Sequence, residues 1–225
     1  DLENAAELLP DIYITPDRAR ANKAVVKAFL ARVYLYSKRW MEASSAASYV
    51  LNQTENYQLE LSFDTAFLRG SRATIWQLAP AYEGRNTSEG AFFIFESIPP
   101  HSVSLNETLY QAFEPGDLRK DHWIRSLSDG INTWHHPYKY KERNDTGSTV
   151  ECSVLLRLSE QYLIRSEARL KQSDLDGAKE DLNVIRNLAG LPNTTAVNDQ
   201  EVLEGILNEG RLELFTEQGH RIIDL

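Results

Sequence analysis

The sequence predicts an all-α fold, built of helix pairs and interrupted by a long irregular insertion that carries short strands. Three observations predict it. Small and apolar residues recur at helical spacing over residues 16–52. The same spacing returns over 153–225. Between them, residues 55–150 are rich in Asn, Ser, Gly, Pro and aromatics and hold only short runs of strand character. The 225 residues read as one domain: a helix pair over 16–52, a loop-rich insertion over 55–150 and a helical C-terminal part over 153–225. A chain of this length buries roughly 70–75% of its unfolded surface. Its 42% hydrophobic and 25% charged content is ordinary for a globular domain.

Each element has its own signal. Residues 1–10 read as the tail of a helix already under way, and no stop signal follows Asp224-Leu225, so the chain reads as an internal fragment. Thr15-Pro16-Asp17 has the chemistry of a helix start: a capping hydroxyl, a proline at the first helical position and an acid near the positive end. The helix is expected over 16–37, with Val25, Phe29, Val33 and Tyr36 on its inner face. A second helix is expected over 40–52, where Ala43, Ala46 and Ala47 permit close approach of a neighbour. Residues 73–78 and 91–95 are strand-like, separated by a turn-rich loop at 80–88. A second helix pair is expected over 153–172 and 175–189, punctuated by Ser173-Asp174, Gly190 and Pro192. A last helix is expected over 199–216, opened by Asn198 with Glu201 three residues on, and striped by Leu203, Ile206, Leu207 and Leu214.

Charge and composition exclude several functions. A net charge of −9 argues against nucleic acid and against an anionic membrane surface. No apolar run approaches the ~20 residues of a membrane span. Cys152 is alone, between valines at 150 and 154, and reads as a small core residue. The five His are scattered, so no metal site and no cofactor are expected. Five Asn-x-Ser/Thr sequons read as turn composition.

Ala31, Tyr34, Trp40, Ala43 and Ala47 stand where a tetratricopeptide hairpin places its small, aromatic and packing residues, and Ala178 and Leu182 repeat the pattern. The two pairs lie about 135 residues apart in sequence, not the 34 of a tandem array. Along the chain come Ala31-Arg32-Val33-Tyr34-Leu35-Tyr36, Ile75-Trp76-Gln77-Leu78, Glu114-Pro115-Gly116-Asp117-Leu118-Arg119 with Trp123, and Pro137-Tyr138-Lys139-Tyr140-Lys141. There follow Leu158-Ser159-Glu160-Gln161-Tyr162-Leu163-Ile164-Arg165-Ser166-Glu167-Ala168, Asp181-Leu182-Asn183-Val184-Ile185-Arg186, and Gly219-His220-Arg221-Ile222-Ile223-Asp224-Leu225. In this order they resemble the SusD/RagB family of nutrient-binding outer-membrane lipoproteins. Gln218, Ile222 and Ile223 depart from the aromatic residues usual there, and Gly210 from a common Arg. The resemblance implies non-catalytic capture of a nutrient, a glycan or oligosaccharide, at the cell surface. It also implies a TonB-dependent SusC-like receptor as partner, and membrane attachment only through an N-terminal lipid anchor outside this sequence. A tetratricopeptide-type peptide-binding scaffold and an α-helical glycoside hydrolase are the alternatives.

Glu160 and Glu167 are two helical turns apart, roughly 10 Å, close to the carboxylate separation of an inverting glycosidase. Arg157, Arg165, Arg186 and Arg211 supply partners, however, so these acids, like Glu213, Glu217, Arg221 and Asp224, are expected to bridge helices. Sugars stack their C–H faces on aromatic rings and present hydroxyls to amides and charged groups. The ligand contacts are therefore expected in the insertion: Trp134 beside His135, and Tyr82 with Arg85 and Asn86. Trp40, Trp76 and Trp123 are expected in the core.

Overall fold

A computed structural model describes residues 1–220. Among them the chain is mostly helical, as the sequence predicts. It runs α1 (Leu2–Leu8), α2 (Lys23–Tyr36), α3 (Trp40–Leu51), β1 (Thr74–Leu78), α4 (Ser88–Phe93), α5 (Glu107–Gln111), α6 (Leu118–Trp123), β2 (Ile124–Ser128) and β3 (Thr133–Pro137), then β4 (Ser153–Arg157), α7 (Leu158–Leu170), α8 (Leu175–Leu188) and α9 (Asp199–Glu213). β1 pairs antiparallel with β4, and β2 with β3.

The two helix pairs, distant in sequence, stack in space. Ala31, Ala43, Ala46 and Ala47 from α2 and α3 are buried in one cluster with Ile164 and Ala168 of α7. Their small side chains let the backbones approach, which is why the alanines recur. Charged groups then fix the register. Arg32 of α2 donates to both oxygens of Glu160 on α7, at 2.5 and 2.8 Å. Arg165 grips Asp181 of α8 at 2.8 and 2.7 Å. Glu160 is bridged by an arginine of another helix, as expected, but by Arg32 of α2, which is not one of Arg157, Arg165, Arg186 and Arg211.

Several boundaries differ from expectation. α2 starts at Lys23, not near Pro16, because Asn22 supplies the cap, accepting from Val25 N at 3.0 Å. The preceding residues form a strap along β1. Arg18, at φ +56°, donates to the carbonyls of Ser71, Arg72, Thr74 and Asn56, and Gln77 Nε2 donates to Asp17 O at 2.6 Å. Val25 is buried as expected, but the rest of the inner face of α2 is Ala24, Val26, Ala28, Leu30 and Ala31, whereas Phe29, Val33 and Tyr36 are exposed. Residues 153–157 are strand, not helix, drawn into the ladder with β1. Residues 88–93 are helical, not strand, because Thr87 caps them, accepting from Gly90 N at 3.0 Å. α9 stops at Glu213, short of 216, where the chain turns into the left-handed conformation of Thr216. Its start is as expected: Asn198 Oδ1 accepts from Glu201 N at 3.0 Å.

The core of the insertion gathers Phe63, Phe67, Phe113, Trp123 and Tyr140 with Phe215 from the C-terminal part. Trp123 is 1% exposed; Trp40 and Trp76 are only half-buried. Cys152 is fully buried, and burial pushes its thiol above the ordinary range.

Candidate functional site

Glu160, Glu213 and Glu217, expected to bridge elements of the fold, do so. Glu213 and Glu217 are buried against Arg157, and Glu213 also against Arg119. Nearby cations hold both carboxyls below the ordinary range, Glu213 at about 2. Lys139 donates to the Glu217 carboxylate and, at 2.7 Å, to Glu213 O. Arg221 and Asp224 lie outside the described residues. Among the described residues no group of three His, Cys, Asp or Glu is arranged to hold a metal.

The insertion forms an open cleft of about 350 Å³, whose lining includes Leu78, Pro80, Ala81, Arg85, Asp145 and Ser153. Its size falls at the small end of the ~300–1,000 Å³ usual for small-ligand sites. Two loops make it, 79–91 and 144–153, and their stitching explains the residues used. Gly84 sits at φ +91°, and a Cβ there would meet Thr146 O at 2.8 Å, so only glycine permits the approach. Thr146 N donates to Gly84 O at 2.8 Å, and Gly84 N to Thr149 Oγ1 at 3.0 Å. A side chain on Gly90 would collide with the Glu142 carbonyl.

Asn86 is the strut between the loops. Its Nδ2 donates to Asn144 O at 3.1 Å and to Thr146 Oγ1 at 2.9 Å, and its Oδ1 accepts from Val150 N and Glu151 N at 3.1 and 3.2 Å. Expected as a ligand contact, it has its amide spent on holding the cleft open. Asn86→Ala is expected to destabilise the protein by about 1–3 kcal/mol, the cost of leaving such groups unpaired, as measured by urea denaturation. A change below about 0.5 kcal/mol, as for an ordinary surface substitution, contradicts the assignment.

Arg85 and Asp145 stand at the mouth, with Nε and Oδ2 3.7 Å apart and both side chains largely in solvent. Tyr82, between the lining residues Ala81 and Arg85, is 71% exposed. Tyr82 shares a turn with Arg85, whose N donates to Tyr82 O at 3.3 Å, and Tyr82 itself is not one of the lining residues. Asp145 was missed by sequence reasoning. It sits in an Asn-Asp-Thr-Gly stretch that reads only as a turn, and its partner lies 60 residues away.

Trp134 and His135 lie elsewhere, on the β2–β3 hairpin, and do not line the cleft. Trp134 opposes Leu127 and is half-buried. His135 faces the other way and is buried. Its ring stacks on Tyr110 with centroids 3.6 Å apart, Nδ1 lies 2.7 Å from Ser126 Oγ, and Nε2 is 3.6 Å from Glu107. Burial lowers its pKa. Both faces of its chemistry are occupied by the protein, so the structure turns this expected ligand contact into a packing residue. A second cleft, of about 450 Å³, lies between α5 and α9, and its wall includes His220.

Residues 119–225 match the model of the SusD family. No curated protein matches the chain. Among solved structures, a SusD-like carbohydrate-binding protein from Bacteroides vulgatus is 26% identical, with a TM-score of 0.79 over 99% of this chain and 48% of its own. Surface glycan-binding protein A from Bacteroides uniformis is 22% identical, with a TM-score of 0.77 over 100% of this chain and 55% of its own. A SusD superfamily protein from Parabacteroides distasonis is 18% identical, with a TM-score of 0.80 over 99% and 55%. The last two show the shared fold alone. The chain spans about half the length of these structures. The family model matched over the C-terminal part and the helix-pair fold shared along the whole length together support membership of the SusD/RagB family.

Proposed function

We propose that this protein binds a glycan without turning it over, and that the cleft between loops 79–91 and 144–153 is a contact site. The observation that carries the reading is an open polar cleft that offers both a guanidinium and a carboxylate, with the exposed Tyr82 in the loop that lines it. A sugar ring presents an apolar face and a rim of hydroxyls; the tyrosine suits the first, and Arg85 with Asp145 suits the second. The likeness to a SusD-like carbohydrate-binding protein supports the class of ligand. Binding is passive, because Glu160, Glu213 and Glu217 are each held by cations and Asp145 is the only carboxylate among the residues that line the cleft, so no acid–base pair faces it.

By the family relation, the whole protein works at the outer-membrane surface, held by an N-terminal lipid anchor, and hands its ligand to a TonB-dependent SusC-like receptor. A pull-down of the intact protein from native membranes tests that partner.

Tyr82→Ala is expected to weaken glycan binding by about 1–3 kcal/mol, the range for a stacked ring, and to shift stability by less than about 0.5 kcal/mol, as for an exposed residue. Trp134, outside the cleft, is assigned to the same reading as a separate stacking face for a longer glycan. Trp134→Ala should therefore weaken polymer binding more than binding of short oligosaccharides. Calorimetry with both ligand lengths checks the pair; unchanged affinity in Tyr82→Ala removes the cleft from the site.

A further inference from the structure

Resting on the glycan-binding reading, we infer that the cleft selects uncharged glycans over those bearing uronate or sulfate groups. Arg85 is the only cation among the lining residues, and Asp145 already stands 3.7 Å from it. The neighbouring charges do not redress the balance. Glu89 reaches the cleft wall, accepting from Ser153 Oγ at 2.8 Å. Glu83, in the same loop, accepts from Thr149 N at 2.9 Å and pairs with Arg69. Arg143 is turned away, donating to Ile94 O and pairing with Glu96. An anionic sugar entering the cleft meets one guanidinium that must first leave a carboxylate, with a second carboxylate behind the wall. The whole chain, at −9, adds repulsion at long range.

A neutral sugar meets a different balance. The Arg85–Asp145 pair is loose and solvent-exposed, so it is worth little to the fold and is free to reorganise. Arg85 donates and Asp145 accepts, so the pair can take adjacent hydroxyls of one ring without stranding a charge. Such binding involves no net ion pairing and is therefore insensitive to salt, whereas capture of a polyanion is screened by it.

The test is calorimetry of the full chain against neutral polysaccharides (starch, β-glucan, mannan, xylan, arabinogalactan) and anionic ones (polygalacturonate, alginate, chondroitin sulfate), at low and at 0.5 M salt. That salt level shortens the screening length to roughly half its ~8 Å physiological value. The expected result is binding to at least one neutral polymer, with affinity changing less than twofold between salts, and at least tenfold weaker binding to every anionic one. Asp145→Lys should narrow that gap by strengthening the anionic polymers, and Asp145→Asn should keep the preference while weakening the neutral ligand severalfold. Tightest binding to an anionic polymer, lost on adding salt, overturns the selectivity while leaving glycan binding intact. Binding to none of the polymers overturns the glycan reading itself.

Discussion

Trp123→Ala is expected to cost about 3–5 kcal/mol of stability, the range for truncating a large buried aromatic. That is a large fraction of the ~5–15 kcal/mol that separates a folded domain from its unfolded chain. Trp123 closes α6 and stands where the insertion meets the C-terminal part. Its ring takes the edge-on contacts of Phe63 and Phe67, with centroids 4.8 and 5.7 Å away, and lies 6.4 Å from Phe215. The indole Nε1 donates to Phe63 O at 3.1 Å. The Lys139 ammonium sits 4.5 Å from the ring centroid, so the indole also roofs a buried charge. Alanine removes the filling, the hydrogen bond and the roof together. Denaturant melts of Trp123→Ala and Tyr82→Ala, side by side, separate anchor from platform. A Trp123→Ala loss below about 1 kcal/mol, no more than a typical substitution, contradicts the assignment.

What could be read from sequence follows from how far apart the interacting groups lie. The alanines of α3 announce close packing because the signal is local and periodic, and α3 and α8 fall where they were expected. The segment 153–157 misled because Ser-Val-Leu-Leu-Arg has no period long enough to tell strand from helix; only β1, some 75 residues upstream in the sequence, decides it. The start of α2 misled because Thr15-Pro16-Asp17 carries capping chemistry that Arg18 and Gln77 divert to the strap on β1. The site shows the same division. Tyr82 and Arg85 were visible as an exposed aromatic and a cation in a loop. Asp145 was not, because its place opposite Arg85 is set by Gly84 and Asn86 joining two distant loops. His135 looked available because its aromatic context was visible and its stacking partner, Tyr110, was not.

The second large effect is expected at Glu213, the hub of the buried charges. It is 1% exposed. Its Oε1 accepts from Arg157 at 2.5 Å and its Oε2 from Arg119 at 3.1 Å, while its backbone carbonyl accepts from Lys139 and Arg157 at 2.7 and 2.6 Å. Arg119 belongs to α6, Arg157 to β4 and Glu213 to α9, so this carboxylate ties the insertion to both ends of the C-terminal part. Arg119 is further held by Asp117 and Glu209. Glu213→Ala removes the carboxylate that two buried guanidinium groups share, leaving Arg157 to Glu217 and Arg119 to Asp117 and Glu209, and should cost about 3 kcal/mol, the lower end for breaking a buried pair by removing one partner. Acid gives an independent test. The ordinary carboxyl value is 4.5, and the surrounding cations hold Glu213 at about 2. A carboxylate with a lowered folded value contributes stability that is complete above the unfolded value and is lost as pH falls towards the folded one. Stability should therefore decline between about pH 4.5 and 2, with Glu217 acting in the same direction. In Glu213→Gln, whose amide does not titrate, the parent's decline over that window should become shallower. Urea melts at a series of pH values measure both slopes. If the two proteins lose stability in parallel on acidification, Glu213 is not the group whose protonation opens the structure.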